Sequence, residues 1–392
     1  MPRLEVRVVR SLRDVPRDAW NALLEPDDNP FVTWDFLEAL ESSGSVGPER
    51  RWWPAHLTVW HGDRLRAAAP AYVKRDGMGD FSRDWAFTHA LQQLGGSLYP
   101  KLVIGVPFSP VQGRRLLVGG PMAADREPAD AEAATAASLL IELAQELARR
   151  ERLAAVQVLY HHRDETSVLE AAGFAPRVLV QFHWHNRGYR DCDEWLAGLP
   201  SKKRTQIRRE RREPERQGLR VRVADSSALR SRPGELAGLA FALYRCTSAK
   251  HMWGATYLTE TFFRQLFERL PNRVELVLAE RGDDVVAGAV DIATDTHLYG
   301  RYWGCFEEHR FLHFNVCLYR GIEECIARGR SVFEGGAGGE HKLARGFLPV
   351  LVPTAHWFAE ARIHRALAPA LLADLAERER QVDEFVAAAA AR

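Results

Sequence analysis

The sequence predicts an α/β chain (α+β, with mixed sheets) in two domains, each a mixed sheet with helices packed on its faces. Three observations predict it. The chain has 392 residues, too many for one ordinary core, so two domains of roughly 190 residues are the default. Its 46% hydrophobic and 27% charged content is that of a globular protein. One order of elements is read twice: strand, two helices, antiparallel strands, helix, strand. That order suits helices on the faces of a mixed sheet.

In the first half, residues 4–9 alternate as a strand, and two helical stretches follow at 17–24 and 34–42. Strands at 56–60 and 65–73 flank the turn His61-Gly62-Asp63. Residues 74–120 are rich in Gly, Pro and aromatics and form an insertion with short strands at 102–106 and 116–118. A long helix fits 129–150 and a buried strand 154–160. A further strand ends at Phe182-His183-Trp184, and a short helix fits 193–199. The second half opens with a strand at 219–224 and helices at 235–247 and 257–269. Strands follow at 275–280, 285–292 and 297–303, then a helix at 313–328 and a strand at 331–334. A strand at 351–358 and a helix from Ala366 close the chain. The composition changes within 187–200, which predicts domains 1–190 and 191–392, the second beginning with a basic helix.

The net charge is +1, which excludes a general basic surface for DNA. No window approaches eighteen consecutive apolar residues, so no membrane span is predicted. The N-terminus lacks the apolar run of a signal peptide. The five cysteines, Cys192, Cys246, Cys305, Cys317 and Cys325, are odd in number and form no C-x-x-C pair. Reduced thiols in a cytoplasm are expected. His161-His162 and His183-x-His185 lack a third ligand at metal spacing, so no metal site is expected.

Four segments carry candidate chemistry. Glu334-Gly335-Gly336-Ala337-Gly338-Gly339-Glu340-His341-Lys342 places glycines after a strand. Behind them stand a carboxylate, an imidazole and an ammonium, with Arg345 beyond. Glycine permits close backbone approach to a ligand, so the loop reads as an anion cradle with acid and base to hand. Tyr299-Gly300-Arg301-Tyr302-Trp303 lies on a strand. Alternation there puts Tyr299, Arg301 and Trp303 on one face and Tyr302 on the other. Such an arginine between aromatics can hold an anionic or carbonyl group. The basic run holds Lys202, Lys203, Arg204, Arg208, Arg209 and Arg211. At helical spacing Lys203, Ile207 and Glu210 share one face and Arg204, Arg208 and Arg211 another. A row of arginines matches repeated phosphates, and the plain alternative is a solvated helix. Tyr99-Pro100-Lys101 and Gly113-Arg114 sit in a rigid loop, with Lys101 and Arg114 facing solvent or a ligand. No G-x-S-x-G elbow or dinucleotide motif occurs.

The order of elements is that of the GNAT acyltransferase fold. Several segments together resemble the FemAB-like branch of that superfamily, a family labelled peptidoglycan-related. They are Asn29-Pro30-Phe31, Tyr99-Pro100-Lys101-Leu102, Pro107-Phe108-Ser109-Pro110, Gln181-Phe182-His183-Trp184, Lys202-Lys203-Arg204, Tyr299-Gly300-Arg301-Tyr302-Trp303-Gly304-Cys305 and Gly339-Glu340-His341-Lys342. The chain departs from the family pattern at Gly338, Asn315 and Asp76-Gly77, where the family has Gln, Glu and His-Ser. The resemblance implies tandem GNAT-like domains and acyl transfer. Related Fem proteins use aminoacyl-tRNA on cell-wall precursors, and the basic run looks like the segment before their second domain.

The expected activity is transfer of an aminoacyl or acyl group to an amine by direct attack. Aminoacyl-tRNA is the favoured donor and acyl-CoA the alternative, because no coenzyme A signature precedes a helix. No tightly bound cofactor is expected. The acceptor is a small-molecule or cell-wall-precursor amine, and tRNA is the possible macromolecular partner. Glu340 is the first base candidate and Glu334 the second. Lys342 and Arg301 are read as oxyanion donors, and His341 and Tyr302 as proton donors to the leaving group. Tyr99, Lys101, Arg114, Tyr299, Trp303 and Arg345 are read as substrate contacts. A non-catalytic binding protein for an anionic precursor or metabolite is the alternative from another class.

Overall fold

The computed structural model describes residues 4–93, 95–119, 127–224, 226–250, 256–336 and 338–390. The strands in chain order are β1 (Leu4–Val9), β2 (Trp52–Pro54), β3 (His56–His61), β4 (Arg64–Ala69), β5 (Ala71–Lys74), β6 (Lys101–Ile104), β7 (Leu117–Val118), β8 (Ala155–Val158), β9 (Ala175–His185), β10 (Arg220–Ala224), β11 (Val274–Arg281), β12 (Asp284–Ala293), β13 (His297–Cys305), β14 (Val332–Glu334) and β15 (Leu348–Phe358). The helices are α1 (Arg17–Asn21), α2 (Trp34–Ser42), α3 (Trp85–Gln93), α4 (Glu127–Arg150), α5 (Thr166–Ala171), α6 (Cys192–Ala197), α7 (Ser201–Arg216), α8 (Ser226–Ser231), α9 (Pro233–Lys250), α10 (Glu260–Arg269), α11 (Leu312–Phe314), α12 (Arg320–Arg328) and α13 (Ala361–Ala390), with a π-helical segment at Asn315–Tyr319.

The chain forms two compact units, residues 1–179 with 351–381 and residues 180–350 with 382–392. The expected single boundary after residue 190 therefore differs from this division. The chain passes between units within β9, and again where β15 begins in the second unit and ends in the first.

In the first unit β1, β3, β4 and β7 make an antiparallel sheet. The predicted strand 65–73 is broken at Pro70, which lacks the N–H that a sheet ladder needs. Beyond it β5 joins a second set of strands, in which β6 and β8 run parallel and β5 and β15 flank them antiparallel. Helix α4 connects the parallel pair and buries Leu140, Ile141, Ala144 and Leu147 in the core.

The second unit has one sheet in which β10, β11, β12 and β13 are antiparallel neighbours. β13 pairs parallel with β14, and β14 antiparallel with the end of β9. The parallel pair is joined through α11, the π segment and α12. Helices α9 and α10 pack an aromatic layer of Tyr244, Phe262, Phe263 and Phe267. The backbone of α9 comes so close to β13 that a Cβ on Gly304 would sit 1.7 Å from the Leu243 carbonyl oxygen, so only glycine fits there. Among the described residues no helix is long and apolar enough to cross a membrane.

Candidate active site

In the second unit β13 and β14 pair over three residues only, from His297 opposite Val332 to Tyr299 opposite Glu334. β13 then continues to Cys305 against β12. The other chain leaves the sheet at Gly335 and enters the glycine loop. Glu334 is thus the last residue of its strand, in a row with Tyr299 on β13 and His183 on β9. Glu334 and His183 are both buried, with Oε2 and Nε2 3.9 Å apart. Burial, then His185, His297 and Lys342, push the His183 imidazole down to about 3, so it is neutral near pH 7.

Beyond Glu334 the loop folds back on Lys342. Its ammonium donates to the carbonyls of Gly336 and Gly338, each at 2.7 Å. Lys342 thus clamps the loop through its carbonyl oxygens. This differs from the expected arrangement, in which the lysine faces a bound anion. Burial pulls its pKa down to about 8; Cys317 opposes this and Arg301 adds to it. Gly339 has φ of +96°, and a Cβ there would meet the His341 ring at 2.7 Å. The 3₁₀ turn Glu340–Arg345 follows. The side chain of Glu340, the first base candidate, lies outside the described side chains.

The alternation read along β13 does not hold. A register shift between Val290 and Asp291 leaves Arg301 as an extra residue, since Val290 opposes Tyr302 and Asp291 opposes Gly300. The bulge moves Tyr302 onto the face of Tyr299 and carries Trp303 to the opposite face. Tyr302 accordingly packs edge-on against Phe263 and Tyr244, at 5.4 and 5.7 Å between ring centres. Trp303 meets His313 at 5.1 Å. Asp291, buried beneath the bulge, accepts the backbone N–H of Arg301, and burial raises its pKa well above the carboxylate range.

Arg345, expected to contact substrate, is buried. Its Nη2 is 2.8 Å from Glu210 Oε2 and its Nε donates to the Tyr319 hydroxyl at 3.0 Å. Tyr319 itself donates to Glu210, and Gln206 holds the other carboxylate oxygen at 2.8 Å. This network ties α7, the π segment and the turn 340–345 together. Sequence reasoning placed Glu210 beside Ile207 on one helix face, and both are buried. It missed Glu210 as the anchor, weighed His183 only as a metal ligand and within a family segment, and missed His313 and Cys317, because no local motif marks those two.

The basic run forms α7. Arg204 donates to the carbonyls of Ala197 and Leu199, Arg208 is 3.5 Å from Asp193, and Arg211 pairs with Glu323. Arg208 and Arg211, with Arg212 and Arg320, line a cavity of about 390 Å³. Lys202 and Arg209 are exposed and Lys203 half-buried.

Tyr99, Lys101 and Arg114 belong to the first unit. Lys101 does not face solvent. It is buried, with Nζ 2.8 Å from Asp80, 2.7 Å from Asp84 and 2.6 Å from Gln157 Oε1. Those neighbours lift its pKa above the usual lysine range. Tyr99 lies 5.0 Å from the Lys101 ammonium and is raised to about 12, chiefly by burial. Arg114 is mostly buried on Asp28, with Nε 3.0 Å from Oδ1. No cluster of His, Cys, Asp and Glu suited to a metal occurs among the described residues.

The FemAB-like family model, described as peptidoglycan biosynthesis/recognition, matches residues 11–391. The chain is similar in fold to the crystal structure of FemX, at 13% identity and TM-score 0.52, over 93% of this chain and 100% of that one. It is also similar to the C-terminal domain (DUF2156) of a lysylphosphatidylglycerol synthetase, so described as putative, from Agrobacterium fabrum. There the identity is 10% and the TM-score 0.52, over 89% of this chain and 94% of that one. No curated protein matches the sequence.

Proposed function

Since the chain belongs to the FemAB-like branch of the GNAT acyltransferase superfamily, we propose that it is an N-acyltransferase with tandem GNAT-like domains. It moves an aminoacyl or acyl group onto an amine by direct attack, at the end of β14. The observation that carries this reading is the buried Glu334 beside a glycine loop held by Lys342. The basic α7, which looks like the segment before the second domain of Fem proteins, favours aminoacyl-tRNA as donor over acyl-CoA.

The chemistry follows from the groups present. An amine must lose a proton before it attacks, because the ammonium has no lone pair. Glu334, with Glu340, is the base in this scheme. His183, beside Glu334, is held neutral near pH 7 and does not compete with the carboxylate for that proton. The tetrahedral intermediate carries an oxyanion, and the Lys342 ammonium and Arg301 are the cations at hand. One such donor is typically worth on the order of 3 kcal/mol in the transition state. Burial and the charges of Lys342 and Arg345 lower the His341 pKa, so the imidazole is neutral near pH 7. It can therefore take up a proton and return it to the leaving group. Direct transfer requires no covalent enzyme intermediate.

The donor is tested by treating the transfer assay with ribonuclease. Loss of product identifies charged tRNA. Unchanged product with acetyl-CoA present identifies coenzyme A as the carrier and removes the tRNA assignment.

A further inference from the structure

Five aromatic rings run in sequence over the surface of the second unit beside α7. Trp303 meets His313 at 5.1 Å, and His313 lies 6.1 Å from His341. His341 lies 5.5 Å from Phe314, and Phe314 stacks on Phe311 at 6.3 Å with only 22° between the planes. His341 is exposed, and Trp303, Phe311, His313 and Phe314 are each partly exposed. Rings that served only the core would be fully covered.

Charge frames the far end of this row. Arg310 and Arg209 are exposed and sit 4.8 and 5.8 Å from the centre of the Phe311 ring, and Arg345 sits 3.4 Å over Phe314. Glu307, a nearby acid, pairs with Arg281 at 3.0 Å and lies 3.1 Å from His309 Nε2. Phe311 itself holds φ of +60° at the cap of α11. A bulky side chain adopts that conformation rarely, and such strain gathers at ligand sites. Flat rings with open faces, interleaved with arginines that reach phosphates, are how proteins hold the bases of unpaired nucleotides.

We infer that this row is a stacking platform for an adenine nucleotide, the ring lying on Phe311 at the end of the row and its phosphates reached by Arg310 and Arg209. The inference deepens the acyl-transfer reading and rests on it in taking the nucleotide to be the end of the acyl donor. Adenine with phosphate is common to coenzyme A and to the 3′ end of tRNA, so the chemistry is one and the source two. The middle of the row, at His341, adjoins Lys342 and the glycine loop, where acyl transfer is proposed.

The test is titration of the full chain, at one fixed salt concentration, with coenzyme A and separately with a short RNA ending in CCA. An abasic oligomer of equal length is the control. Phe311→Ala should weaken the preferred ligand at least about fivefold, the lower end of what one base stacked on an aromatic ring contributes. Arg310→Glu should weaken it similarly, and Phe311→Tyr should stay within about twofold of the parent. Preference for the RNA assigns the platform to tRNA, and preference for coenzyme A assigns it to acyl-CoA. Equal binding of the abasic oligomer, no binding of either nucleotide, or full affinity in Arg310→Glu and a folded Phe311→Ala overturns the platform. Should Phe311→Ala fail to fold, Arg310→Glu and Phe311→Tyr decide the matter. Transfer with an unchanged donor KM in Arg310→Glu removes the platform and leaves the acyltransferase. Phe311-dependent binding without any transfer removes the acyltransferase and leaves the platform.

Discussion

Lys342 combines two properties that are testable apart, its clamp on the carbonyls of Gly336 and Gly338 and a pKa near 8. Its folded pKa lies below the ordinary 10.5, so the ammonium is present below pH 8 and lost above it. If that charge stabilises the oxyanion, kcat falls as pH rises through about 8. Lys342→Arg keeps its charge and should abolish the fall, while Lys342→Met should lower kcat on the order of 100-fold. A pH–rate profile that is flat to pH 9 in the parent would remove Lys342 from the chemistry. The Glu210–Arg345 pair is a different case, because both groups are buried and serve the fold. Arg345→Met leaves Glu210 short of its partner and should cost about 3–5 kcal/mol in urea unfolding. The sequence revealed that Lys342 stands behind a glycine loop, since both lie within one short segment. It did not reveal that Lys101 is buried, because Asp80, Asp84 and Gln157 reach it from other segments.

Elements were legible where a regular period meets a clear boundary. The helix read at 34–42 and the strand read at 4–9 coincide with α2 and β1. Thr33 caps α2 by accepting the Phe36 N–H, a signal that local sequence carries. Alternation along β13 failed because one inserted residue exchanges faces for everything beyond it. The helix read at 313–328 is interrupted by the π segment 315–319. There the Asn315 side chain donates to the carbonyls of Glu210 and Phe311, both at 2.9 Å, a tertiary cause that periodicity does not express. Gly304 belongs to this scale too. Gly304→Ala must drive α9 away from β13, and the expected loss is about 3 kcal/mol or more, read as a lowered urea midpoint. An unchanged midpoint would mean that α9 and β13 do not approach as described.

At the scale of the whole molecule, length and the repeated order of elements pointed to two units, but not to a division with the segment 351–381 in the first. Chain order alone does not say which sheet a late strand joins. Both units also hold neutral histidines out of water, His161 and His356 buried in the first, and in the second His183 buried and His313 partly buried. Their pKa values are pushed down to about 4, 3, 3 and 4, burial being the largest cause for each. The unfolded chain takes up these protons below pH 6.5 and the folded chain does not, so stability is present above 6.5 and declines as pH falls toward the folded values. Between pH 7 and 5 the loss should be on the order of 2 kcal/mol for each such histidine, read from urea midpoints, and His356→Gln should shrink it. An equal midpoint at both pH values would contradict the burial of these rings. The claim that most needs a direct answer is acyl transfer at the end of β14. The measurement is single-turnover transfer from charged tRNA and from acetyl-CoA to a panel of amines, comparing the parent with Glu334→Gln and Glu340→Gln of verified fold. The account predicts product from one donor and a loss of about 100-fold or more in at least one variant. No product from either donor, or the parent rate in both variants, would contradict it.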